Sequence, residues 1–160
     1  MKINFGFCLI YSMLFALKVY SAEVTVVDGD SLKIGEQNIR LDGIDAPEYT
    51  QKCFDKKGTT YFCGQEAMLY LENMTQGKDV ECKCLAQKDR YKRDICECFV
   101  EGISLNGAMV ASGWAITYRD KTYILQENTA KLNKLGVWQG KYMRPAIYRA
   151  LYRTELKTDS

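Results

Sequence analysis

From residue 23 onward short β-branched runs alternate with turn residues, and only later does the spacing become helical. Residues 23–27 (EVTVV) form a strand that ends at Asp28-Gly29, a dipeptide suited to a tight hairpin turn. Residues 31–34 read as the returning strand, Gly35-Glu36 as the next turn, and residues 37–44 (QNIRLDGI) as a third strand. In that strand Ile39 and Leu41 face one way and Arg40 the other. A loop carrying Pro47, Cys53, Gly58 and Cys63 follows. Residues 64–74 take helical spacing, with Ala67, Leu71 and Met74 on one face and Gly77 as a stop. Strands at 79–85 and 94–100 make a second hairpin. Ser104 caps a short helix with Leu105, Ala108 and Met109 inward and Gly113 at its end. Thr122 caps a last helix whose Leu125, Leu132 and Leu135 form a core-facing stripe closed by Gly136. This order predicts an α+β domain, mainly β: a five-stranded barrel of OB type with about three helices.

The N-terminus follows a different pattern. After Met1 and Lys2 an apolar run spans residues 3–17, and Val19 and Ser21 suit a signal-peptidase site cutting before Ala22. Residues 1–21 therefore read as a signal peptide, which implies a secreted or periplasmic protein. The alternative is an uncleaved membrane anchor over residues 3–20. Residues 22–153 form one domain, without repeat or low-complexity linker, and residues 154–160 a flexible tail. Loss of Lys2 and Lys18 brings the formal net charge from +2 to zero, which excludes a globally basic nucleic-acid glove. Local basic patches must do any phosphate binding.

The chain has no histidine, which excludes a Ser-His-Asp triad, a Cys-His pair and imidazole-ligated zinc. Proton transfer near neutral pH falls to carboxylates, Lys, Tyr or metal-bound water. Six cysteines lie beyond the apolar run, an even count that indicates disulfides in an oxidising compartment. One hairpin register sets Val80 opposite Val100, Cys82 opposite Cys98 and Cys84 opposite Cys96 on one face. The same register pairs Lys83 with Glu97 and Leu85 with Ile95 on the other. Bridges Cys82–Cys98 and Cys84–Cys96 follow, leaving Cys53–Cys63 to close a loop. The competing reading is a structural zinc site of four thiolates, against which stands the C-x-C spacing in place of C-x2-C.

Three clusters can carry chemistry: Asp28-Gly29-Asp30-Ser31 at a strand turn, residues 40–48 (RLDGIDAPE), and Asp89-Arg90-Tyr91-Lys92-Arg93 at the hairpin tip. Singly, the first reads as a hairpin turn and the third as a solvated loop. The second stands out because Arg40 interrupts an apolar strand and Asp45 and Glu48 flank a proline. In this order, with Gly113-Trp114-Ala115 and Gly136-Val137-Trp138 behind them, the motifs resemble the staphylococcal nuclease (thermonuclease) family. The likeness runs from residue 23 to about 150 and extends to the family's cysteine-containing, secreted branch.

The resemblance implies an OB-fold nuclease that uses calcium, cuts DNA or RNA and leaves 3′-phosphate ends. Position by position, it makes Asp30 and Asp45 calcium carboxylates and gives Ala46 a backbone carbonyl ligand. Asp28 orients the metal's waters, Glu48 acts on the attacking water, and Arg40 and Arg93 clamp the phosphate. Phosphodiester cleavage passes through a five-coordinate phosphorus, and two guanidinium forks stabilise its charged equatorial oxygens better than lysine does. Arg90 and Tyr91 would hold a second phosphate or stack a base, with Tyr118 and Tyr123 as further stacking candidates. Lys131, Lys134, Lys141, Arg144, Arg149 and Arg153 lie in a stretch without acids. That stretch suits either tracking of a nucleic-acid backbone or a helix docked through Pro145, Ile147, Tyr148 and Leu151. Two departures from the family pattern matter: Ser31 replaces threonine, and Lys92 replaces a glycine whose turn, if left-handed, would strain lysine and redirect Arg93. The alternative function is a catalytically weak binding or interaction module of the same fold.

Overall fold

The computed structural model describes residues 23–119 and 121–158, the last six as backbone only. The signal segment over 1–21 and its anchor alternative lie outside the described residues. Strands β1 (Val24–Asp28), β2 (Ser31–Ile34) and β3 (Gln37–Leu41) form an antiparallel meander. β4 (Glu81–Lys88) and β5 (Asp94–Val100) form a hairpin that joins it by a parallel β3–β5 pairing. The path β1-β2-β3-β5-β4 gives the expected five-strand, OB-type order. Among the described residues, helices α1 (Cys63–Thr75), α2 (Leu105–Ala111), α3 (Ile124–Leu132) and α4 (Pro145–Thr158) make four where about three were expected. The last continues through residues 154–158, assigned above to a tail, because no glycine or proline interrupts RTELKT.

The core follows the strand alternation. Leu32, Ile39 and Leu41 meet Ala67 and Leu71 of α1 and Leu105, Met109 and Val110 of α2 in one buried cluster. Ser104 caps α2 as expected, its hydroxyl accepting from the Gly107 amide. A second cluster surrounds Cys53 and Cys63 and includes Ile116 and Val137. It forms because Gly113 and Gly136, both at positive φ, approach so closely that a Cβ on either would lie 2.3 Å from a main-chain oxygen.

Four expectations change. The third strand ends at Leu41: Gly43 at φ 70° turns the chain, and Ile44–Asp45 pairs instead with Ile116–Thr117. The hairpin register holds from Glu81–Phe99 through Cys84–Cys96, then four steps along β4 match two along β5 before Lys88 meets Asp94. That bulge leaves Leu85 exposed rather than paired with Ile95. The loop before α1 contains a small hairpin, Cys53–Phe54 against Thr60–Tyr61. Finally, the stripe expected on α3 points outward, with Leu125 76% and Leu132 83% exposed. The helix starts at Ile124, with Tyr123 in the cap position and no side-chain cap in place of Thr122. Its buried face is Tyr123, Glu127 and Ala130, about half a turn from the leucines at ~100° per residue.

All three expected disulfides are present, with Cα separations of 5.6 Å for Cys53–Cys63, 4.1 Å for Cys82–Cys98 and 4.0 Å for Cys84–Cys96. The four hairpin cysteines are therefore disulfide-bonded, and the zinc-thiolate alternative is set aside.

Candidate active site

Asp30 occupies the turn between β1 and β2 and is buried at 6% exposure. Asp28 starts that turn, its carboxylate accepting from the Asp30 amide at 2.9 Å. The break at Gly43 sends Asp45 under the same turn, where the Ala46 amide donates to Asp30 Oδ2 at 2.8 Å. Buried Asn106 secures this break: its Nδ2 donates to Asp42 O at 2.9 Å and Cys96 O at 3.1 Å, and its Oδ1 accepts from the Cys98 amide at 3.0 Å. Glu48 lies at the rim, half-buried, after Pro47. Its loop is held by Gln51, fully buried, whose Nε2 donates to Met143 O at 2.7 Å and whose amide donates to Glu48 O at 2.7 Å.

Arg40 projects from β3 into the carboxylates. It pairs with Asp30 and, at 3.4 Å, with Asp45, and it donates to Ile44 O at 2.9 Å. Arg93 arrives from the β4–β5 tip. Its Nη1 donates to Ser31 Oγ at 2.9 Å, and that hydroxyl donates to Asp30 Oδ1 at 3.0 Å. Serine in place of threonine thus keeps the link. Lys92 does adopt the left-handed turn, at φ 64°, yet Arg93 still reaches the carboxylate cluster. Asp89 explains why: its carboxylate accepts from the amides of Tyr91 and Arg93 and from Arg93 Nε, all at 2.8–2.9 Å. Arg90 and Tyr91 remain at the exposed tip, with the Tyr91 ring flanked by the Arg90 and Arg93 guanidiniums at 4.8 and 5.4 Å. Tyr118 is half-buried beside Arg119. Tyr123 offers no stacking surface, since it is buried and its hydroxyl donates to Glu97 at 3.2 Å.

One residue of the cluster was not singled out in the sequence. Arg149 of α4 donates from Nη1 to Asp45 Oδ1 at 3.0 Å and to Glu48 Oε1 at 2.8 Å, and from Nη2 to Asp45 Oδ2 at 3.3 Å. In sequence it is one of six bases in a tail, and no local pattern separates it from Arg144 or Arg153. Only the docking of α4, with Tyr148 Oη 3.1 Å from Thr50 Oγ1, selects it.

Burial, with the charge of Asp30, pushes Asp28 up to about 7. Burial also raises Asp45, against the opposing pull of Arg149 and Arg40. Burial disfavours the charge on Arg149, but the Asp45 and Glu48 carboxylates more than offset it. Burial is thus the leading cause of both raised carboxyls, and the neighbouring guanidiniums of Arg149 and Arg40 partly offset it at Asp45. The donor chemistry suits a hard divalent cation, because every group offered is oxygen and a guanidinium already stands against Asp45 as a cation. Among the described residues no three His, Cys, Asp or Glu side chains converge as a ready cage, so main chain, water and substrate must complete any coordination.

In a fold of OB order, two arginines thus stand over buried carboxylates at the β1–β2 turn. Residues 38–140 match the staphylococcal nuclease homologue family, and the chain belongs to that family. It is 32% identical over 124 residues to the succinoglycan biosynthesis protein ExoI of Rhizobium meliloti (strain 1021), covering 74% of this chain and 64% of that protein. It is 28% identical over 142 residues to the probable endonuclease lcl3 of Sclerotinia sclerotiorum, covering 78% and 52%. With the probable endonuclease LCL3 of Saccharomyces cerevisiae (strain RM11-1a) it shares 32% identity over 127 residues, covering 69% and 44%. The chain therefore spans between 44% and 64% of the length of these relatives.

Proposed function

We propose that this protein is a calcium-dependent nuclease that hydrolyses phosphodiester bonds of DNA, RNA or both outside the cytoplasm. The observation that carries the reading is one hydrogen-bonded cluster containing Asp30, Asp45, Glu48, Arg40 and Arg93. Residues distant in sequence and drawn from a turn, a strand, a loop and a hairpin tip have no core-packing reason to meet there. Asp30, Asp45 and the Ala46 carbonyl would hold the cation, with Asp28 fixing the turn that carries Asp30. A bound divalent cation supplies charge neutralisation at the phosphate and a more acidic water.

The remaining work falls to the chain. Arg40 and Arg93 offer guanidinium N–H groups to the phosphoryl oxygens, where charge accumulates in the transition state. Arg40 is held by carboxylates and main-chain oxygens, and Arg93 by the Asp89 carboxylate and the Ser31 hydroxyl, before substrate arrives, so little reorganisation accompanies the reaction. Glu48, half-buried at the rim, reaches water and can orient or deprotonate it. Arg90 and Tyr91 extend the surface toward a neighbouring phosphate or base. By family likeness the 5′ oxygen leaves, giving 3′-phosphate ends. Three disulfides support an oxidising compartment, and no described helix is long and apolar enough to cross a membrane.

The test is degradation of denatured DNA and RNA by the oxidised protein in millimolar calcium and in chelator. Activity is expected only with calcium, and Glu48→Gln and Arg40→Ala should each lower the rate on the order of 10²–10³-fold with the fold retained. Full activity in chelator removes the metal assignment. Inactivity with every divalent cation replaces the enzyme by a binding module.

A further inference from the structure

We propose that Arg149 is a resident counter-cation of the proposed metal site, and that a divalent ion must displace its guanidinium from Asp45 to bind. The inference rests on the cation-site reading given above and adds a residue that sets its affinity. Arg149 lies beyond residues 38–140, the stretch matched by the family, on helix α4.

Both Asp45 oxygens are engaged by the two Nη atoms of Arg149, and the same Nη1 spans to Glu48. The residue that would ligate the cation and the one that would act on water are therefore joined by a single positive group. Asp45 is 1% exposed, so water does little to screen the contact, whereas the Arg149 side chain is 28% exposed and has a way out toward solvent. A cation ligated by Asp45 sits within about 2.3–2.6 Å of its oxygens. Two positive charges cannot share those oxygens without strong repulsion, so binding of one weakens the other.

The guanidinium is delivered by a mount rather than by a free side chain. Tyr148, its neighbour, meets Thr50, and Gln51 grips Met143 just before α4. A cavity of about 130 Å³ bounded by Glu48, Thr50, Tyr148, Arg149 and Tyr152 adjoins the pair and leaves room for the side chain to swing. Without cation, Arg149 offsets the repulsion within the acidic cluster; with cation, its donors are released beside the phosphate position. The chain thus carries a threshold: cation concentration must exceed what the ion pair opposes before Glu48 is freed.

The experiment measures calcium binding calorimetrically to the oxidised protein, to Arg149→Gln and to Asp45→Asn. Arg149→Gln should bind about tenfold to a hundredfold more tightly, the range expected when charge-assisted hydrogen bonds compete for the site. Equal or weaker binding by Arg149→Gln, with binding still lost in Asp45→Asn, overturns the role of Arg149 and leaves the cation site standing. Calcium binding that is absent, or indifferent to Asp45→Asn, overturns the site and this inference together. A second readout needs no folded variant: in the unaltered protein, the nitrogen-detected guanidinium signals of Arg149 should lose their restrained, ion-paired character as calcium saturates. Signals that stay restrained at saturation refute displacement.

Discussion

Gly64, in the first turn of α1, stands against the main chain of Glu48. A Cβ built there lies 1.7 Å from Glu48 O, 2.5 Å from Glu48 C and 2.9 Å from Tyr49 Cα. A carbon and a carbonyl oxygen approach to about 3.3 Å at closest, so Gly64→Ala requires a displacement of roughly 1.5 Å. No flexible side chain can absorb it, because all three neighbours are backbone. Nor can α1 retreat easily, since Cys63 is bridged to Cys53 and Ala67 and Leu71 are fully buried. The loop from Pro47 to Thr50 must therefore move, carrying Glu48 with it. Alanine raises helix propensity by ~1 kcal/mol relative to glycine, but overpacking at a rigid contact costs about 1–3 kcal/mol or more and prevails. Misplacement of a catalytic group by ~1 Å costs on the order of 10²-fold in rate. Gly64→Ala is expected to lose at least that much nuclease activity in calcium, with thermal stability lowered by a few degrees and near-native circular dichroism. Wild-type turnover by a folded Gly64→Ala protein would refute the claim that this glycine sets the position of Glu48.

Two further outcomes follow from the same structure. Asn106→Ala removes three hydrogen bonds to buried main-chain groups and should destabilise the oxidised protein by about 2–4 kcal/mol, read by chemical denaturation; a change under 1 kcal/mol would contradict it. For Asp89, burial raises the carboxyl, but the amides of Arg93 and Tyr91 and the Arg93 guanidinium outweigh it and hold the group below its ordinary 3.8. A depressed acid stabilises the fold above the unfolded value and loses that contribution as pH falls through the folded one. Protection of the Tyr91 and Arg93 amides should therefore hold down to about pH 3.8 and fail only below it; loss of protection by pH 5 would show that Asp89 does not organise the tip.

The strands, the hairpin register and the bridges were legible because each repeats a local signal: alternation, a turn dipeptide, cysteines matched across one face. Arg40 was legible for another reason, as a charge interrupting an apolar strand, whereas Asp30 and Arg93 read singly as a turn and a solvated loop and were drawn in only by the order of the motifs. The α3 stripe misled because leucine count stood in for burial. Glu127 takes the inward position instead, its carboxylate accepting from the Thr117 amide at 2.6 Å and pairing with Lys131. A carboxylate that satisfies buried main chain leaves no mark in a hydrophobic pattern. Lys92 shows the opposite limit: its strained turn was foreseeable, but the compensating grip of Asp89 on Arg93 is a contact across the loop. Arg149's role was illegible altogether, since it depends on where α4 docks, well past the last motif, Gly136-Val137-Trp138.

A common problem explains the arrangement of staples around this site. Burying Asp28 and Asp45 beside Asp30 opposes folding, as their raised carboxyls record. A domain of this size has limited core with which to offset it. The disulfides close loops with sequence separations of 10, 16 and 12, a range in which each bridge contributes about 3 kcal/mol by restricting the unfolded chain. Two of them also flank the functional groups. Cys53–Cys63 ties the Glu48 loop to α1, and Cys84–Cys96 fixes the arms whose tip carries Arg93. Stabilisation is thus applied where the charges are brought together.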